Sequence, residues 1–379
     1  MYDVVYTLSG DPAAPPSLDS MVERYVHKLK SDLEDSLWHA GFIDEALATR
    51  LGLAFETIPE SHRYHYLLTP AIFEAISGFR KRATVDRLLR LVELTEDEAL
   101  LAGAELMSHR SGLRTWSPMG DASLASLEGD GIVTHVDRLD SLIVMDFDSP
   151  AARDVRLESS VMCHEPGEFS FEDRSKVTRN LSEAMRYINR ISPTFSRLIL
   201  NYTRAIRLRR CADCQLGSEH ITTTIGEIRL LNPQRDEYTP IRLAEALIHE
   251  SVHNYLSTYE YLNIPFVLSG ASPQYRPIST WSGNPIPVAA FCHAVFVWFA
   301  LFQFSLIELA LITSELAGRL PIMRRRNQYA AGFLIPTRLS ASLEGYAEFN
   351  GDILATIDSL QRSVKEAMPG GAFVRRDVA

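Results

Sequence analysis

His249-Glu250-Ser251-Val252-His253 sets two imidazoles at i and i+4 with a carboxylate beside the first. On a helix, residues four apart lie one above the other on one face, so both imidazoles can reach a single divalent metal ion. Glu250 points about a quarter-turn away. In a zinc peptidase such a glutamate stands beside the metal-bound water and takes its proton as general base, although the same helix can hold another metal. The motif is short, and its weight comes from its setting. Glu245-Ala-Leu-Ile-His-Glu-Ser-Val-His-Asn254 follows a strand-like run and reads as one continuous helix.

Two ligands do not complete a site. Metzincin spacing asks for glycine at 256 and histidine at 259, where the chain has Leu256 and Tyr259, and this excludes that subclass. His293 is the only histidine after the motif; it sits in the apolar run from Phe291 to Trp298 and is the expected third ligand. The competing carboxylate is Glu348, which together with Glu344 would form an i, i+4 pair on a late amphipathic helix. Other constellations are weaker. Cys211-Ala-Asp-Cys214 has spacing suited to zinc or redox chemistry, with Cys163-His164 as further donors, but no second CxxC accompanies it. His62 and His65 read as surface residues, and His220 as part of a loop between strands, with a place near the pocket as the alternative. Neither a phosphate-binding glycine loop nor a nucleophile elbow is present in the sequence.

The elements that must position these residues follow from periodicity. The first hundred residues show helical spacing from Met21 to Leu37 and from Ala71 to Leu101, followed by strand-like segments at Ile132–Val136 and Ser141–Phe147. A long amphipathic helix is expected from Phe171 to Asn201, broken before Pro193. Two β-rich runs, Ala205–Arg210 and Ile221–Leu231, are expected to pair antiparallel. Thr239-Pro240 then opens the motif helix, with proline near the first helical position, where its missing N–H does no harm. Val288 to Ile307 is long and apolar enough to span a bilayer, but His293, Gln303 and Ser305 interrupt it and it stands alone, so it reads as a buried central helix. Arg324-Arg325-Arg326 reads as a solvated face, and Arg338 to Met368 as a long amphipathic helix. The fold class expected is α+β and mainly helical. A helical N-terminal region (1–168) precedes a catalytic region (169–369) in which a small sheet leads into the HExxH metal helix, as in zincin-like folds, and a flexible tail (370–379) follows.

Composition narrows the setting without naming a reaction. The chain has 379 residues, 46% hydrophobic and 23% charged, as in soluble globular proteins. Its 38 basic and 48 acidic residues give a net charge of -10, which disfavours nucleic acid and anionic membrane as partners. The N-terminus shows neither a secretory signal nor a transit peptide, and four unevenly placed cysteines do not form a disulfide framework, so reduced thiols and a cytoplasmic location are expected. Self-association is left open by the sequence.

Several segments together carry a resemblance: Gly226-Glu-Ile-Arg-Leu-Leu-Asn-Pro233, the motif helix from Glu245, the loop Trp281-Ser-Gly-Asn-Pro-Ile-Pro287, and His293-Ala-Val-Phe-Val-Trp298. The combination resembles the HExxH-type peptide-modification family, iron(II)- and 2-oxoglutarate-dependent β-hydroxylases that act on ribosomally synthesised precursor peptides. The resemblance is clear over roughly residues 170 to 310 and fainter elsewhere. It implies a dioxygenase with Fe(II) and 2-oxoglutarate as cofactors and a ribosomal precursor peptide as substrate. In that setting His249, His253 and His293, or a carboxylate such as Glu348 in place of His293, would face the metal and leave positions for cosubstrate and dioxygen. Glu250 would then orient a ligand rather than act as base. The distal carboxylate of 2-oxoglutarate asks for an arginine fork, with Arg276, Arg338 and Arg229 as candidates and Trp281 and Ser282 in the loop beside them. Phe291, Phe296 and Trp298 would help keep the pocket dry. The rival readings are a zinc metallopeptidase with Glu250 as general base, and a non-catalytic peptide-binding protein of a biosynthetic cluster.

Overall fold

The structure is a computed structural model that describes residues 2–10, 15–41, 49, 68, 70, 73, 114–116, 122–125, 132–153, 167–211, 216–221, 224–269, 275–312 and 316–368. The helices are α1 (Tyr2–Leu8), α2 (Pro15–Gly41), α3 (Phe171–Ile191), α4 (Pro193–Tyr202), α5 (Pro240–Leu262), α6 (Val288–Leu311), α7 (Leu316–Ala330) and α8 (Ile353–Ala367), with a single turn at Pro150–Arg153. The strands are β1 (Arg114–Trp116), β2 (Ala122–Ala125), β3 (Ile132–His135), β4 (Arg138–Leu139), β5 (Ile143–Asp146), β6 (Ala205–Arg209), β7 (Gly217–His220), β8 (Glu227–Leu231), β9 (Val267–Ser269) and β10 (Glu348–Phe349). The fold is α+β with a small mixed sheet. The chain divides into two compact units, one of residues 18–187 and 197–258 and the other of residues 1–17, 188–196 and 259–379, a division that does not coincide with a boundary near residue 168.

In the first unit, a five-stranded sheet runs in the order β4-β5-β6-β8-β7. β5, β6 and β8 are parallel, and the outer strands β4 and β7 run antiparallel to their neighbours. Every residue of β5, β6 and β8 is buried, as parallel strands covered on both faces require. Alternation along Glu227-Ile228-Arg229-Leu230 then sorts side chains into two layers. Register sets Met145, Ile206, Ile228 and His220 in one row, and Asp146, Arg207, Arg229 and Glu219 in the adjacent row on the opposite face. The second row is a buried ion network. Arg207 reaches Asp146 at 2.6 Å and Glu227 at 3.2 Å, and Arg229 reaches the other oxygen of Glu227 at 3.1 Å. A separate antiparallel sheet joins β1, β2 and β3.

Local sequence explains the helix ends. Ser170 and Asp173 exchange side chain-to-backbone hydrogen bonds at the start of α3, a reciprocal cap that satisfies two orphan donors. The break before Pro193 falls where expected, and Ser192 Oγ accepts the Phe195 N–H in the first turn of α4. Thr239 Oγ1 likewise accepts the Arg242 N–H at the start of α5.

In the second unit, α6 packs against α1, α7 and α8. It is long and apolar enough to cross a membrane, but most of it is buried within the protein, which makes that feature weak evidence for a span. Phe291 and Phe296 are core residues, and Glu308 is buried with both carboxylate oxygens accepting from Nη2 of Arg325 of α7, so the middle arginine of the basic run is not a free solvated charge.

Three expectations are corrected. The runs at 205 and 227 do pair, but in parallel; the antiparallel partner of β8 is β7, and Ile221 and Thr224, between the two strands, are joined by a backbone hydrogen bond in a turn. The helix expected from Arg338 to Met368 begins only at Ile353: Gly345 takes φ +84°, which ends any helical run, and Glu348 lies in β10 opposite Ser269. Cys211 is disulfide-bonded, against the expectation of reduced thiols, while Cys292 is free and buried, its thiol pushed up to about 12 by desolvation. The expected helix at 71–101, His62, His65 and the 370–379 tail lie outside the described residues.

Candidate metal centre

Three ties fix the motif part of α5 to its unit. Asn254 accepts the Gly226 N–H through Oδ1 at 2.9 Å and donates to the Glu227 carbonyl, which pins α5 to the start of β8. Gly226 adopts φ +95°, and a Cβ there would meet Arg204 at 3.4 Å, so the close approach depends on glycine. Ser251 Oγ shares a 2.7 Å hydrogen bond with Thr203 Oγ1, and Tyr255 stacks edge-on against Tyr202. The residues between and after the two histidines therefore serve as anchors.

His249, Glu250 and His253 offer ligand atoms that all lie within 4.8 Å of one another. Two imidazoles and a carboxylate at this separation form a donor set suited to a divalent transition metal. Burial lowers the His249 pKa to about 4, keeping the ring in the neutral form that binds metal. Glu250 is 2% exposed, and burial raises its pKa to about 8. The 2.6 Å hydrogen bond donated by Ser218 of β7 opposes that rise, and the negative charge of neighbouring Glu219 adds to it. The Glu250 oxygen that Ser218 holds stands 3.9 Å from His249 Nε2, too far for a hydrogen bond between them.

His220, expected in a loop, lies on β7, with its ring parallel to that of His253 at 7° and a centroid distance of 5.6 Å. The alternation that brings Ser218 and His220 to one face is the signal that reveals them, but it spans only four mostly polar residues and is faint in the sequence.

The other expected site residues, Arg229 apart, belong to the second unit. His293 Nε2 lies 2.7 Å from Glu260 Oε2, and the other Glu260 oxygen accepts the Phe266 N–H. Trp281 donates its indole N–H to the Tyr329 carbonyl and packs on Gly332, where a Cβ would come within 2.3 Å of the ring. Ser282 sits in the same exposed turn, held by Ser279. Arg338 commits its guanidinium to Glu344 and Asp358, whereas Arg276 is exposed and has no ion pair among the described residues. Arg229 belongs to the buried ion network. Glu348 is exposed on β10, so the helical premise for its ligand role is gone.

No model of a known protein family and no curated protein matches this sequence.

Proposed function

We propose that the protein is an iron(II)- and 2-oxoglutarate-dependent oxygenase that hydroxylates a side-chain β-carbon in a ribosomally synthesised precursor peptide. One observation carries the metal part: the donor atoms of His249, Glu250 and His253 gathered within 4.8 Å on a firmly anchored helix. The reaction class rests on the resemblance of the segments around Gly226, the motif helix, Trp281 and His293 to the peptide β-hydroxylases. A peptide substrate is also consistent with β7, an outer strand whose Ser218 and His220 touch the motif helix.

In this reading His249 and His253 hold the metal through neutral imidazoles, and His293 is the third ligand. Its Nε2 is engaged by Glu260, the kind of carboxylate partner that orients a ligating imidazole. Iron bound there would activate dioxygen, the oxidant, with 2-oxoglutarate as the co-reductant, for hydroxylation at carbon. Glu250, held by Ser218, orients the site instead of moving a proton. Arg276 is the better candidate for the distal carboxylate of the cosubstrate, because Arg338 is already paired.

The test is anaerobically purified protein supplied with iron(II) or zinc(II) and assayed for succinate with and without candidate peptides. Iron-dependent, dioxygen-requiring succinate and a peptide heavier by one oxygen are expected. A second reading, a zinc metallopeptidase, is favoured by the position of Glu250 beside His249. Peptide cleavage by the zinc form that ignores 2-oxoglutarate and disappears in Glu250→Gln would establish it instead.

A further inference from the structure

β7 contributes more to the centre than one hydrogen bond. Its register on β8 is fixed from Gly217 to His220, and the Tyr238 hydroxyl donates to the Gly217 carbonyl at 2.7 Å. Alternation then turns Ser218 and His220 to the same face. Ser218 holds Glu250, the second residue of the motif. His220 lies flat along His253, the fifth, in the offset parallel arrangement that aromatic rings favour. The His220 ring is itself tethered, because its Nε2 shares a 3.0 Å hydrogen bond with Ser257 Oγ. Ser257 is four residues beyond His253 and so stands one turn along on the same helical face. A ring stacked on one residue and anchored at the next turn has little freedom to rotate, and the ring it covers loses the same freedom.

We propose that His220 is a positioning residue for the metal centre: tethered by Ser257, it fixes the plane of the His253 imidazole and so the direction of its ligating nitrogen. The role rests on the reading of His249 and His253 as metal ligands. It needs the planar ring of His220, and no bond from His220 to the metal. The expected cost of losing such an outer partner is about a tenfold fall in metal affinity, at the lower end of what outer partners contribute.

The experiment compares the full chain with its His220→Ala, His220→Phe and Ser257→Ala variants. Each is loaded with cobalt(II) and followed by visible absorption, and zinc(II) affinity is measured against a competing chelator, with circular dichroism as the check on folding. His220→Ala should weaken zinc binding about tenfold and alter the cobalt spectrum. Ser257→Ala should move them in the same direction as His220→Ala but less, and His220→Phe, which keeps a stacking ring but loses the Ser257 hydrogen bond, should match Ser257→Ala. A folded His220→Ala with unchanged affinity and spectrum overturns the proposal. So does a folded His220→Phe as impaired as His220→Ala when Ser257→Ala is unimpaired, since an imidazole nitrogen would then be required for something other than the Ser257 hydrogen bond and His220 would be a ligand. Failure of the unmodified protein to bind either metal overturns the metal centre itself, and is seen before any variant is compared.

Discussion

Around the motif, His249 and His253 stand beside a carboxylate that a serine holds; in the other unit, His293 holds its carboxylate directly. Both arrangements pair imidazole with a buried or half-buried glutamate, and they prepare the imidazole by different physics. Desolvation keeps His249 neutral, and Glu250 has its hydrogen bond from Ser218. Glu260 instead binds one nitrogen of His293 and so fixes the ring by direct contact. The difference teaches that proximity of histidine and glutamate in a sequence says little until the partner of the carboxylate is known. Adjacent His249 and Glu250 do not hydrogen-bond each other, whereas His293 and Glu260, thirty-three residues apart, do.

The largest test removes the imidazoles. His249→Ala and His253→Ala are each expected to lower metal affinity by more than the roughly 10–100-fold that an outer partner contributes, measured by chelator competition. His293→Ala should fall with them under the proposed ligand set. Unchanged affinity would make its bond to Glu260 a purely internal contact and leave the two regions unrelated in function.

Next come the carboxylate partners. Glu260→Ala removes the acceptor of both the His293 and Phe266 bonds and is expected to cost about 2–3 kcal/mol in urea denaturation. Ser218→Ala should cost about 1–2 kcal/mol in the metal-free protein, because it leaves a buried carboxyl without its donor. Equal losses from these two variants would blunt the contrast.

The metal-free protein should also show the difference in its pH dependence. His249, lowered from 6.5 to about 4, is neutral when folded but protonated when unfolded across that window, so its contribution is full above about 6.5 and lost as pH falls toward 4. Glu250, raised from 4.5 to about 8, stays protonated only in the fold, so its contribution is lost as pH rises from about 4.5 through 8. The two slopes oppose each other between about 4.5 and 6.5 and leave a net decline from there to about 8. In Glu250→Gln that decline should be absent from the denaturation midpoints; its persistence would assign it to other groups. The smallest effect is expected from Arg338→Ala, less than about 1 kcal/mol for an exposed ion pair. A several-fold rise in the KM for 2-oxoglutarate would give Arg338 the cosubstrate role instead of Arg276.

Much of the scaffold was legible because single residues announce it. Pro193 and Pro240 mark helix starts that no other element tolerates as well, and the i, i+4 histidines need only a helix to converge. The strand pairing was not legible. Ala205–Arg209 and Glu227–Leu231 look like the arms of a hairpin, but the chain first places the four-residue β7 on the far side of β8 and leaves the two runs parallel. Polar Gly217-Ser-Glu-His has little strand propensity of its own and depends on β8 for its conformation, which is why His220 read as loop. The late glutamates failed for the opposite reason: Glu344 and Glu348 have helical spacing, and the positive φ of Gly345 overrides it.

The row of charges on the sheet face away from His220 has a consequence for how the sheet assembles. Asp146, Arg207, Glu227 and Arg229 come from three separate strands and satisfy one another in a single alignment. Sliding β8 by one residue would carry Glu227 and Arg229 to the oily side and bring Ile228 and Leu230 among the ions. An uncompensated guanidinium in such surroundings costs several kcal/mol, so a shifted register is strongly disfavoured. The network thus works as a checksum on strand threading, and the side chains that β7 aims at the helix inherit their accuracy from it.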